Sequence, residues 1–181
     1  MKVARHSKDP EVEGMTLEQI AEKYIVRFVD RKPDWSAFAD ALVEGYKRAQ
    51  LRFIGNTSRK PGGTSFIPAN HFTLNVMYVP PGQGNASHTH EVEEVFFVLE
   101  GIVTVFFEDE TGRRLDVQLG PWDCVSCPAG VIHGYQNDGV EPAYLQVLAG
   151  AGRPELMGYA DADLWAKRDE HLKRDAEARK A

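Results

Sequence analysis

Three side chains between Pro80 and Gly101 have the types and the spacing to hold a metal. His88, His90 and Glu94 stand at H-x-H-x-x-x-E spacing, just ahead of an apolar run from Val95 to Leu99. Successive side chains of a β-strand point to opposite faces, so residues two apart share one. His88 and His90 can therefore aim their imidazoles at one point. Glu94 lies an even number of residues further on and can return to that face. Two neutral imidazoles and a carboxylate suit a divalent transition metal, and Fe, Mn, Ni, Co, Cu and Zn all accept such ligands. A fourth ligand has to come from elsewhere, and the stretch from Cys127 to Asn137 offers His133. Open positions on such an ion admit water, O2 or a chelating substrate. That serves Lewis-acid or O2 chemistry, and it serves simple ligand capture equally.

Taken together, the two stretches resemble the paired motifs of the cupin superfamily. Gly82, His88, His90, Glu94 and Gly101 fill every fixed place of the first, G-x5-H-x-H-x3-E-x6-G. Pro128, Gly130, His133 and Asn137 fill the second, G-x5-P-x-G-x2-H-x3-N, whose opening glycine falls at Trp122. The resemblance implies a mainly β fold, a single antiparallel β-barrel or jelly roll with the metal inside, held by His88, His90, Glu94 and His133. Cupins range from dioxygenases through isomerases to proteins that only bind. The reading carried forward is a metal-dependent, dioxygenase-like oxidoreductase acting on a small oxygenated or aromatic metabolite. The alternatives are a non-catalytic metal or small-molecule binding module, and a metal-dependent isomerase or decarboxylase. Tyr135 shares strand parity with His133 and is the candidate catalytic residue, able to donate a proton or orient a substrate oxygen. An aromatic wall residue would sit there equally well. No lysine lies between Lys60 and Lys167, and the arginines of that interval are Arg113, Arg114 and Arg153. The cup is therefore expected to be apolar and aromatic rather than cationic.

The rest of the chain must position these groups. Its 181 residues suffice for one domain with a buried core, and 43% hydrophobic with 27% charged residues is ordinary for a globular protein. A net charge of −6 argues against a nucleic-acid surface. No apolar stretch reaches the length of a membrane span, and the first residues lack the apolar core of a signal peptide, so a cytoplasmic protein is expected. Cys124 and Cys127, the only cysteines, would face opposite ways on a strand, which speaks against a redox or zinc role.

Three segments follow from patterning. Residues 1–60 read as a helical extension, 61–150 as the β domain with the metal site, and 151–181 as a helical tail. Thr16 can cap a first helix, with Gln19 reaching back. Its opening, GMTLEQIAEKY, resembles the start of a helix-turn-helix, but no turn glycine or recognition helix follows. A second helix is expected from Pro33 and Asp34, on a stripe of Trp35, Phe38, Ala39, Leu42, Tyr46 and Ala49. That stripe exceeds what one small barrel needs outside, so a homodimer is expected. Strands are expected over residues 71–79, 95–99, 102–108, 113–119, 123–127, 131–137 and 143–148, with a short edge strand over 65–68. A last helix, capped by Asp161, is expected from Asp163 to Arg179, with acidic-to-basic i,i+4 pairs along it.

Overall fold

A computed structural model describes residues 4–61, 65–178 and 180. The expected helix end at Arg179, with its Asp175 pair, and part of the loop after Lys60 lie outside them.

Among the described residues, ten strands form two five-stranded antiparallel sheets. The first runs, in spatial order, β1 (Ala49–Ile54), β2 (Thr73–Val79), β9 (Ala143–Ala149), β4 (Glu94–Glu100) and β7 (Cys124–Cys127). The second runs β10 (Gly158–Tyr159), β3 (His88–Thr89), β8 (Ile132–Gln136), β5 (Val103–Glu108) and β6 (Arg114–Leu119). The expected jelly roll is thus two open sheets rather than a closed barrel, since β1 and β7, and β10 and β6, are left as edges. The sheets also draw strands from both flanks: β1 precedes residue 61 and β10 follows residue 150. Gly82 and Gly101 make the sharp turns that the first motif asks for, with φ of 71° and 81°.

Register fixes what faces inward. Glu94 lies opposite Ala149 and Cys127, Ala149 lies opposite Thr73, and all four side chains share the inner face of the first sheet. The next row joins Arg52, Asn75, Val147 and Phe96. Thr73 and Asn75 are fully buried while Leu74 and Tyr78 are half-buried, so β2 turns its more polar alternation inside. Cys127 is buried and Cys124 exposed, as alternation requires.

The first helix forms as expected, α1 (Leu17–Tyr24), with Thr16 and Gln19 in a reciprocal capping box. The second does not. Asp34 pairs through its backbone with Gln50, its carboxylate meets Arg52 and Lys60 at 3.0 Å each, and Gly45 turns the chain at φ 87°. Those tertiary pairings win over helical periodicity, and only a 3-10 turn at Asp40–Leu42 remains. Phe38, Ala39 and Ala41 are buried within the chain itself, so much of the stripe behind the homodimer expectation is used internally. The last helix divides into α2 (Ala162–Lys167), capped by Asp161, and α3 (Glu170–Ala178). The break lets buried His171 donate from Nε2 to the Ser58 carbonyl at 2.8 Å. Among the described residues no helix is long and apolar enough to cross a membrane.

Candidate metal centre

The two sheets meet over one group of side chains. His88 on β3 lies directly opposite His133 on β8, and Glu94 opens β4 in the facing sheet. His90 follows β3. All four are buried, with His88 and His133 each at 1% exposure. Glu94 Oε2 lies 3.4 Å from His88 Nε2 and 3.1 Å from His133 Nε2, and Glu94 Oε1 lies 3.4 Å from His90 Nε2. Ligand atoms of His88, His90 and Glu94 all fall within 4.8 Å of one another. His133 joins them through Glu94 and through its ring, 4.6 Å from that of His88.

The donor set fits a divalent ion. Donors about 2.1 Å from one centre and at right angles stand about 3 Å apart, close to the separations seen. Tautomers point the same way. The Ala86 carbonyl accepts from His88 Nδ1 and the Val131 carbonyl from His133 Nδ1, both at 2.8 Å. A carbonyl can only accept, so each Nδ1 carries a proton, and Nε2 is the atom that each ring offers to a metal ion. The Nε2 atoms face carboxylate oxygens, which only accept, so each contact calls for a positive charge, either a proton on the ring or a metal ion between them.

Electrostatics agree. Burial alone would push Glu94 up, but His90, then His133 and His88, outweigh it and hold the carboxyl well below the usual range. Burial lowers His88 to about 4 despite Glu94. For His133, burial is outweighed by contacts with Cys127 and Glu94, which push it up to about 10. The buried carboxylate thus depends on positive charge placed around it, and a dication supplies that directly.

Residues 75–149 match the family model described as Cupin domain. That stretch is similar to a cupin domain. Germin-like protein 1-1 of Oryza sativa subsp. japonica is 32% identical over 117 residues, covering 58% of this chain and 53% of that protein. The chain thus spans about half the length of the curated relative it matches. The polyketide cyclase RemF from Streptomyces resistomycificus shares the fold at a TM-score of 0.56 and 20% identity, over 78% of this chain and 89% of that one. Oxalate decarboxylase does so at 0.55 and 17%, over 75% of this chain and 32% of that one.

Beside the metal group the core leaves a cavity of about 20 Å³. Tyr135 lines it, 2% exposed, with its ring edge-on to Phe96 at 5.2 Å. Burial pushes the phenol up, so it stays protonated. Asn137 does not line it: its side chain binds the Val79 and Glu141 carbonyls and receives Gly139 N–H, fixing the turn after β8. Arg153 lies in a separate groove with Gly55 and Phe66. The expectation of a cavity without cations is overturned by Arg48, which lines it from just before β1. Periodicity read residues 33–49 as helix and placed Arg48 outside. The signal that would have found it is the polar alternation Arg48, Gln50, Arg52, the mark of a strand.

Proposed function

We propose that this chain is a metal-dependent enzyme, with His88, His90, Glu94 and His133 holding a divalent transition metal on which a small oxygenated metabolite is processed. The reaction class favoured is O2-dependent dioxygenation, in which both oxygen atoms end in the product and no external reductant is needed. One observation carries the reading: two imidazoles locked at Nδ1 by backbone carbonyls turn their Nε2 atoms on one buried carboxylate. When bound, the metal supplies Lewis acidity and, if redox-active, O2 chemistry. The chain does the rest. The sheets exclude bulk water, Tyr135 keeps a phenolic proton at the cavity wall, and Phe96 and Val147 add apolar wall opposite the polar groups. A cavity of about 20 Å³ narrows the substrate to a few heavy atoms.

Metal analysis of purified and reconstituted protein tests the first half. His88→Ala/His90→Ala should abolish stoichiometric metal while circular dichroism stays β-like, and full retention of metal would sink the ligand assignment. O2 uptake by Fe(II)-loaded protein, across hydroxy acids, keto acids and diketones of a few heavy atoms, tests the second half. Metal without turnover on any of them would favour a binding module.

A further inference from the structure

Among the described residues, Arg48 is the one lysine or arginine in the wall of the cavity, and it lies outside the stretch that matches the cupin model. Its guanidinium is 2% exposed. Nη1 donates to Asp40 Oδ2 at 3.0 Å and to the Tyr46 and Gly84 carbonyls at 3.1 and 3.4 Å. Nη2 donates to Asp40 Oδ1 at 3.0 Å and lies 3.8 Å from Met157 Sδ. The Phe38 ring packs against its face at 4.9 Å. Asp40 is fully buried and is held further by Tyr159 Oη and the Ala86 N–H, each at 3.0 Å. The guanidinium is therefore clamped at its two terminal nitrogens and cannot turn. Its Nε–H, also buried, has no partner at hydrogen-bonding geometry among the described residues, although the guanidinium is near enough to the Tyr135 phenol to act on it.

A buried charged donor left unsatisfied is costly, and a positioned one is a recognition element. Charge counting says what it recognises. A divalent ion with Glu94 and three neutral imidazoles carries a net charge of about +1, and the Arg48–Asp40 pair adds none. A monoanion would neutralise the cavity, whereas a dianion would overshoot it. Glu155, exposed at the cavity mouth, disfavours a second negative charge further. The volume limits the ligand to a few heavy atoms.

We propose that Arg48 is the substrate-positioning residue for a small monocarboxylate, one oxygen accepting from Arg48 Nε–H while the carboxylate occupies the metal's open side. This rests on the metal reading above and names the substrate class of that site.

Acetate is the probe and acetamide its neutral counterpart, titrated into Co(II)-loaded protein and followed by the visible absorption of the metal. Acetate should perturb the spectrum saturably and acetamide at least tenfold more weakly. In Arg48→Lys, which keeps a cation beside Asp40 but lacks the Nε–H, acetate affinity should fall about tenfold or more with cobalt content unchanged. Because that variant could loosen the fold, Arg48→Gln/Asp40→Asn, neutral on both sides, is measured in parallel and should show the same loss. Cobalt-replete variants with acetate affinity within twofold of wild type would overturn the inference while leaving the metal reading standing. Equal binding of acetamide would do the same. Wild-type protein that takes up no cobalt would sink the metal reading and this assignment together.

Discussion

Asp40→Ala is the substitution whose consequences the structure fixes best. The carboxylate receives two hydrogen bonds from Arg48, one from the Tyr159 hydroxyl and one from the Ala86 N–H. Removing it leaves a fully buried guanidinium without its counter-charge, a change that usually costs about 3–5 kcal/mol. For a chain of this size each kcal/mol moves the thermal midpoint by roughly 2–4 °C, so a fall of about 10 °C is expected. Metal binding should suffer as well, because the Ala86 carbonyl orients His88. Loss of such an outer support commonly costs about 10- to 100-fold in metal affinity. Urea unfolding of metal-free protein reads the first effect, and calorimetric metal titration of the folded fraction reads the second. Arg48→Met/Asp40→Asn, which removes both charges, should recover much of the lost stability, giving a positive coupling in a double-mutant cycle. Metal-free Asp40→Ala within about 1 kcal/mol of wild type would refute the argument, since an unpaired buried charge should cost more than an average substitution.

Three further outcomes follow from single observations. Tyr135→Phe should lower turnover about 10- to 1000-fold with metal content unchanged if the phenol positions a proton, and by less than about threefold if it is only wall; steady-state rates with metal analysis decide. Trp122 holds φ 76° where the motif calls for glycine, so Trp122→Gly should be more stable than Trp122→Ala by about 1 kcal/mol in urea unfolding. Burial lowers the pKa of His171 although the Ser58 carbonyl opposes this; the folded state therefore binds fewer protons than the unfolded, and this contribution is complete above about pH 6.5 and is lost as pH falls toward the folded value. His171→Gln should flatten the fall in urea midpoint between pH 7.5 and 5.5, by no more than about 1.4 kcal/mol per pH unit.

The legible parts of the sequence were those where local pattern and tertiary environment agree. The convergence of His88, His90, Glu94 and His133 was readable because strand parity and turn glycines are local properties, and the structure brings these four side chains together. The strands from Thr73 to Ala149 were readable for the same reason. Residues 33–49 misled because their stripe of Trp35, Phe38 and Leu42 fits a helix, while the winning interactions are non-local: Asp34 with Arg52 and Lys60, and Asp40 with Arg48. The break after α2 was hidden likewise, since burial of His171 against Ser58 depends on a loop more than a hundred residues away.

These misreadings share a location, and that location bears on how the site works. All four candidate ligands, His88, His90, Glu94 and His133, lie inside residues 75–149, the stretch similar to a cupin domain. The polar neighbour that distinguishes this cavity comes from outside it. Arg48 precedes β1, its counter-ion Asp40 sits in the turn before it, and Tyr159 and Met157, which touch that pair, come from the segment around β10. The flanks converge on one buried ion pair a single strand away from His88. A shared ligand scaffold with flank-supplied recognition explains how one metal geometry can serve different substrates. On the proposal above, exchange of Arg48 should alter ligand preference without disturbing metal content, whereas Asp40, which also holds the Ala86 N–H, supports both.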